Sequence, residues 1–272
     1  MVHPWFRYSF HAGSILSLIA VIQLFVLSER TDTYFAWTIQ SVLTAATLGG
    51  FYIGSMTFGY LSARESLWKN VRGPAVGLFL FLSGTLAATL LHLDKFHLAS
   101  ENSIPRIAAW VWLAIYILMP LILFVSFFLQ ARIRTEHHKE ISILPTWYRV
   151  MIVAHGVVGV LTGIVLFITP QAFSPFWLWE LTPLTARALS AWFISFGVLG
   201  LISAMEKDWD RLRITSIGYS VSGLFGLIAL LRYSNQAQLL GFVGLVYITY
   251  LLLMLACGIY GWKMALSHNP DL

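Results

Sequence analysis

The chain contains eight long apolar runs, each of a length that can cross a lipid bilayer as a helix. They lie at residues 11–28, 38–62, 73–92, 106–131, 149–169, 184–204, 213–232 and 238–264. A helix needs about 20 apolar residues to span the hydrocarbon core. Inside that core only helices and closed barrels satisfy the backbone hydrogen bonds, and the runs lack the apolar and polar alternation of barrel strands. The sequence therefore predicts an all-α bundle of eight transmembrane helices.

The composition agrees with a chain that resides in lipid. Of 272 residues, 58% are apolar and 11% are charged, which is more hydrocarbon than a water-soluble globule can bury. The net charge of +5 comes from basic residues scattered over several loops, where they set membrane topology. We expect the lipid bilayer as a partner and no nucleic acid. No Asp, Glu or Lys is predicted inside a helix, which argues against an ion pump.

The distribution of lysine and arginine predicts the orientation of the chain. Twelve of the 17 lie at the termini and in the connections after the second, fourth and sixth helices. The five on the other side are Arg30, Lys95, Arg106, Arg187 and Arg232. Because positively charged segments stay in the cytoplasm, both termini are predicted to be cytoplasmic.

One loop sequence occurs twice. ARESLWKNVR at residues 63–72 is matched by AMEKDWDRLR at residues 204–213, an offset of 141. The flanks match as well, with PWFR before the first helix and PTWYR before the fifth. We predict two tandem four-helix repeats, residues 1–140 and residues 141–272. Four is an even number, so both repeats enter the membrane from the same side and are related by an axis along its normal.

Two residue patterns accompany the repeat. Trp68 and Arg72 stand four residues apart, as do Trp209 and Arg213, so we expect each guanidinium to lie over an indole at the headgroup level. Small residues at four-residue spacing predict close helix packing. They are Ala46, Gly50 and Gly54 in the second helix, Gly159 and Gly163 in the fifth, and Gly218, Ser222 and Gly226 in the seventh.

Histidines offer two candidate metal centres. In HLDKFH, the side chains of His92, Asp94 and His97 are candidate ligands of a zinc-type ion, and Glu101 or Glu180 could complete the set that such an ion needs. His11 and His155 occupy similar places in the first and fifth helices and could ligate a b-type haem from both sides. The alternatives are a wetted helix end for the first group and buried, hydrogen-bonded histidines for the second. The stretch TEHHKE at residues 135–140 is interpreted as a solvated basic loop.

A ligand pocket is expected where the two repeats differ. At the offset of 141, Ala46 is replaced by Arg187. His92, Asp94 and Lys95 are replaced by the uncharged Tyr233, Asn235 and Gln236. A cation near the hydrocarbon edge is costly without a partner, so we predict an outer pocket in which Arg187 pairs with Asp94 or Glu180. The alternative is that Arg187 extends to the lipid headgroups. The candidate ligand-binding residues are Arg187, Asp94, Lys95, Glu180, Gln40 and Trp179.

Three stretches carry a family resemblance: TIQSVLTAA at residues 38–46, AATLLHLDKFH at residues 87–97 and LTPLTARALSAW at residues 181–192. With them the chain resembles uncharacterised bacterial eight-helix membrane proteins, and each half is distantly similar to DoxX-like four-helix proteins. The resemblance implies a bacterial plasma-membrane protein and no activity.

Two functions remain open at this point. The first is binding of a lipophilic or amphipathic small molecule, or of a membrane protein partner, between the two halves, because repeat interfaces are where such folds place ligands. The second is a membrane enzyme or electron carrier that uses one of the histidine groups with a metal or haem. The sequence names no cofactor.

Overall fold

The computed structural model describes residues 1–133, 144–206 and 208–268, and within them it contains eight long helices. They are α1 (Pro4–Val21), α2 (Val42–Arg64), α3 (Trp68–Leu91), α4 (Ser103–Ala131), α5 (Thr146–Ile168), α6 (Pro183–Glu206), α7 (Trp209–Arg232) and α8 (Phe242–His268). All eight are long and apolar enough to cross a membrane. The prediction of an all-α membrane bundle is confirmed.

Several helix ends differ from the apolar runs because capping side chains decide where a helix starts. The second run begins at residue 38, but α2 begins at Val42, where the side chain of Ser41 accepts a hydrogen bond from the backbone N–H of Thr44. Asn102 caps α4 in the same way through Ile104. At its far end α1 continues as one π-helical turn, Ile22–Val26. Hydropathy alone carries none of these signals.

The eight helices form an inner and an outer layer. In the most apolar stretches of α2 and α6, 67% and 72% of the residues are buried, against 28% in α1 and α4. Helix α1 packs on α2 and α5 packs on α6, while α4 and α8 lie against α3 and α7. The inner helices join the two halves, defined here as residues 1–140 and 141–272, because α2 packs on α7 and α3 packs on α6. The boundary between residues 140 and 141 lies outside the described residues, as do His137 and His138.

Glycine allows the two halves to approach closely. A Cβ atom added to Gly50 of α2 would lie 2.8 Å from the backbone oxygen of Phe225 in α7, and one added to Gly54 would overlap the side chain of Ser222. Real Cβ atoms do not come this close to main-chain atoms, so the helix contact requires glycine. The close packing predicted from small-residue spacing is confirmed at this interface.

The recurring loops connect the halves through ion pairs. Arg213 contacts Glu65 at 3.3 Å, and Arg72 contacts Glu206, which Arg211 also contacts at 2.9 Å. Burial acts to raise the pKa of Glu65, but hydrogen bonds from Leu67, Asn70 and Ser66 and the charge of Arg213 hold it below its ordinary value. Arg72 and Arg213 therefore each stabilise a carboxylate of the opposite half, whereas Arg211 and Glu206 belong to the same half.

The predicted contact between tryptophan and arginine in these loops is wrong. Arg72 and Arg213 turn to carboxylates because a partly buried ion pair is stronger than a contact with an indole face. Trp209 is 1% exposed and packs between Tyr148 and Tyr260, with ring centroids 4.8 and 5.8 Å away. These tryptophans pack in the protein core.

At the opposite end of the bundle, connecting segments pair across each half. The backbone N–H of His97 donates to the carbonyl of Ala36 at 2.9 Å, and that of Gln238 donates to the carbonyl of Leu178 at 2.8 Å. In both cases the segment after the first helix of the half is held against the segment after its third helix. This end of the bundle contains the candidate site.

Candidate functional site

A depression of about 360 Å³ lies between the two halves at this end of the bundle. Three segments meet there: the residues before α2, the turn after α3 and the start of α6. The lining residues are Trp37, Thr38, Gln40, His92, Lys95, Thr182, Pro183 and Leu184. Gln40 and Lys95 were among the predicted ligand-binding residues, and both line this depression.

Arg187 lies in the first turns of α6, beside the depression. Its Nη1 donates to Nε2 of His92 at 2.7 Å, and its Nε donates to the carbonyl of Phe167 at 3.1 Å. A guanidinium can only donate, so Nε2 of His92 accepts and the imidazole is neutral with its proton on Nδ1. Arg187 makes no ion pair with a carboxylate in the described parts of the chain. The predicted pairing with Asp94 or Glu180 is therefore replaced by a neutral imidazole acceptor.

Asp94 and Lys95 form a separate ion pair on the rim. Their side chains are 66% and 63% exposed, and the carboxylate and ammonium groups are 2.8 Å apart. The hydrogen bond from Lys95 lowers the pKa of Asp94. Because this pair is internally neutral, the charge of Arg187 stays uncompensated in the immediate surroundings of the depression.

Trp37 contributes a polar group that sequence reasoning missed. The residue is 2% exposed, and its ring packs against Phe96 and Trp112 with centroids 5.0 Å away. Its indole N–H has no hydrogen-bond partner among the described residues. A buried donor without a partner is costly, and Trp37 is also one of the residues that line the depression, although the N–H itself is closed to solvent. The missing partner is visible only in three dimensions.

Trp179 and Glu180 belong to a neighbouring, wider depression of about 580 Å³. The indole N–H of Trp179 donates to the hydroxyl of Thr44 at 2.8 Å, which fixes α2 against the loop before α6. Glu180 is exposed. Of the six predicted ligand-binding residues, two line the first depression and two the second, and Arg187 and Asp94 are among the lining residues of neither.

The contact between Arg187 and His92 predicts a pH dependence of stability. Burial first, and then the charge of Arg187, lower the pKa of His92 from its ordinary value of 6.5. Asp94 opposes them, and Lys95 adds a smaller lowering. The folded state thus binds this proton less tightly than the unfolded state. Stability attributable to His92 is present above pH 6.5 and is lost as the pH falls through the folded-state pKa.

A His92→Gln variant is the matched control for this effect, because the amide oxygen can accept from Arg187 at any pH. We expect the melting temperature of the wild type in detergent to fall more steeply than that of the variant when the pH is lowered from 7 to 5. Parallel pH profiles of the two proteins would contradict the assignment.

The structure does not bring the side chains of His92, Asp94 and His97 together as a group that could hold a metal ion. Within the described residues, no three His, Cys, Asp or Glu side chains are placed to hold a metal ion. Nε2 of His92 accepts from Arg187, while the ring nitrogens of His97 bond to the carbonyl of Phe35 and the hydroxyl of Thr38. Local hydrogen bonds therefore occupy the nitrogens that a metal would need.

The structure does not bring the two candidate haem ligands together. His11 is exposed on α1, whereas His155 is 4% exposed on α5 and stacks on Tyr250 at 4.0 Å. Helices α1 and α5 are outer helices of different halves, and each packs mainly on its own inner neighbour. One iron cannot bind both side chains in this arrangement.

The fold defines the class of this protein as an eight-helix integral membrane protein. Comparisons with models of protein families, with curated proteins and with solved structures return no match.

Proposed function

We propose that the protein binds an amphipathic molecule with an anionic head, and that the head occupies the depression between the two halves. The single observation that carries this proposal is the guanidinium of Arg187, which lies beside the depression with a neutral imidazole and a carbonyl as partners. A cation in a partly buried position is stabilised by a counter-charge. An anionic ligand provides that charge where the chain does not.

The start of α6 adds to the attraction for an anion. The N-terminus of a helix carries a partial positive charge, and α6 has no acidic residue in its first turn. Thr182, Pro183 and Leu184, at this helix start, line the depression. The helix N-terminus and Arg187 both favour an acceptor with negative charge.

The surroundings favour an amphipathic ligand over a free anion. The exposed apolar side chains of Leu91 and Leu93 flank His92, which lines the depression. A head in the depression can therefore keep its apolar chain in the bilayer. Gln40 and Lys95 are exposed and supply further donors at the rim.

We also propose that the halves are tandem parallel repeats. Matching contacts support this: Glu65 with Arg213 and Glu206 with Arg72, α2 on α7 and α3 on α6, and equivalent backbone bonds in the connecting segments. The proposed site then has no second copy. The position equivalent to Arg187 is Ala46, and that equivalent to His92 is Tyr233, whose hydroxyl bonds to Ser28 at 2.8 Å.

The location follows from the distribution of charge. We propose the bacterial plasma membrane with both termini in the cytoplasm, on the basis of the family resemblance and of the excess of lysine and arginine at the ends joined by the ion pairs. The depression then faces the outer side of the membrane, and the ligand is taken up from the outer leaflet.

A binding measurement with a defined probe tests the proposed function. Purified protein in a non-ionic detergent should bind dioctanoyl phosphatidic acid at least about tenfold more tightly than zwitterionic dioctanoyl phosphatidylcholine. Arg187→Gln should abolish this preference, because losing one charged hydrogen bond costs about 1.5–3 kcal/mol, or roughly a factor of ten or more. Arg187→Lys should retain part of it.

Arg232 offers a matched control. It lies at the end of α7 and donates to the carbonyl of Phe25 at 2.7 Å, which does not line the depression, whereas Arg187 bonds to the lining residue His92. Arg232→Gln should therefore leave the preference unchanged. Lys95→Gln, on an exposed side chain that folding does not require, should weaken phosphatidic acid binding by a smaller factor. Equal binding of both lipids by the wild type would refute the proposal.

A further inference from the structure

A separate cavity of about 110 Å³ lies inside the first half, among α1, α2, α3 and α4. Its lining is mostly apolar and aromatic, with Phe35, Phe81 and Trp112 among the walls. A smaller cavity of about 40 Å³ shares Gly13 and Ser55 with it and extends toward α6. Cavities of this size and lining hold small apolar molecules or parts of larger ones.

The cavity exists because α4 does not approach α3 as closely as α8 approaches α7. A Cβ atom on Gly223 of α7 would lie 2.8 Å from the backbone nitrogen of Leu255, and one on Gly258 of α8 would lie 2.5 Å from that of Ser220. At the offset of 141, Gly223 corresponds to Leu82, which lines the cavity. A leucine in place of glycine keeps α4 at a distance and leaves space that the second half lacks.

Two phenols place a spare hydrogen-bond donor in this space. The hydroxyls of Tyr52 and Tyr116 are 2.6 Å apart and bond to each other, and both residues line the cavity. Each hydroxyl carries one proton, and one proton is enough for their mutual bond. The second has no acceptor among the described residues. Because Tyr52 and Tyr116 are only 6% and 4% exposed, this donor is buried, and leaving it unpaired is costly.

The cavity is reached from the lipid side. Ile19 of α1 and Val111 of α4 both line it, and each is also 48% exposed on the outer face of the bundle. Gln23 lies at the same wall within the π-helical turn Ile22–Val26 and donates to the carbonyl of Tyr34 at 2.7 Å. Such turns in a helix are frequent at functional sites.

We propose that this cavity binds a lipophilic molecule, or the ring or chain end of one, that carries a carbonyl oxygen. The molecule enters between α1 and α4 from the bilayer. Its apolar body contacts the aromatic walls, and its carbonyl oxygen accepts the spare proton of the pair formed by Tyr52 and Tyr116. This site is independent of the anion site at the repeat interface, since the two share no lining residue.

Fluorine NMR with two matched probes tests the inference on the whole protein in detergent. The probes are 4,4-difluorocyclohexanone and 1,1-difluorocyclohexane, which have nearly the same size but differ in the carbonyl group. We expect a bound fluorine resonance distinct from that of the micelle, and about fivefold to tenfold tighter binding of the ketone. The double variant Tyr52→Phe with Tyr116→Phe should remove this difference and leave the hydrocarbon affinity unchanged.

Gly13→Leu tests the location. An added Cβ at Gly13 meets nothing within 4 Å, so a leucine there fills the cavity without a backbone clash and should abolish the bound signal of both probes. Gly13→Ala should keep most of it. Equal affinity of the wild type for ketone and hydrocarbon would overturn the carbonyl assignment. Unchanged binding in Gly13→Leu would overturn the cavity as the site.

Discussion

A Gly50→Leu variant is expected to lose about 3 kcal/mol of stability, the upper part of the usual cost of overpacking, because the backbone at this contact cannot yield. The added side chain would meet the main chain of Phe225 on α7, where even a Cβ atom would be 2.8 Å from the carbonyl oxygen. Helices α2 and α7 would have to separate, and with them the two halves. The measurement is the melting temperature of the purified protein in detergent, together with its elution as a folded monodisperse species.

Gly13→Leu is the matched control for this experiment. It makes the same substitution in a transmembrane helix, but its Cβ atom enters open space. It also removes a glycine from a helix interior, where glycine is about 1 kcal/mol less favourable than alanine. The control should therefore be as stable as the wild type or slightly more stable. A Gly50→Leu protein with the stability of the control would show that the two halves do not meet at α2 and α7.

Glu206→Gln is the second variant for which we expect a large effect. Its carboxylate is 4% exposed and holds both Arg72, from the other half, and Arg211. Removing one member of a buried ion pair leaves its partners uncompensated, which typically costs about 3–5 kcal/mol. We expect the lower end of this range, because 48% of the Arg72 side chain is exposed to solvent.

The exposed pair of Asp94 and Lys95 provides the comparison. Asp94→Asn removes a carboxylate from an ion pair at the surface, where such pairs contribute little, and it should leave the melting temperature unchanged. Arg72→Gln should have an effect between the two, because Glu206 keeps Arg211. If the Glu206→Gln and Asp94→Asn variants had the same melting temperature, the ion pairs between the halves would not hold the two halves together.

The positions of the helices followed from the sequence because apolar length is a local property. The close contact at Gly50 and Gly54 was also predictable, since small residues at four-residue spacing mark a face that another helix can approach. The sequence shows that the loop occurs twice, but it does not show which residues the charged side chains of the loop contact. Glu65 pairs with Arg213 of the opposite half, and this pairing between halves depends on how they are packed.

The site was predicted in part, for a similar reason. The difference between Arg187 and Ala46 pointed to the end of the bundle where the depression lies, and Gln40 and Lys95 line that depression. The predicted partner of Arg187 was a carboxylate, because Coulomb attraction favours one. The packing of α3 on α6 instead places Nε2 of His92 2.7 Å from Nη1 of Arg187. The cavity of the first half was not foreseen, although Leu82 at the position matching Gly223 is a signal that could have found it.

Photo-crosslinking shows directly whether an anionic amphiphile binds at the depression between the two halves. A phosphatidic acid analogue with a diazirine close to its phosphate would be activated on the wild-type protein in lipid nanodiscs, and the modified peptides would be mapped by mass spectrometry. We expect the modification to be concentrated at residues 37–40, 92–95 and 182–187. Excess unlabelled phosphatidic acid should suppress it, and the Arg187→Gln variant should lose it. Modification spread evenly over the lipid-facing helices, and unchanged in that variant, would contradict this expectation.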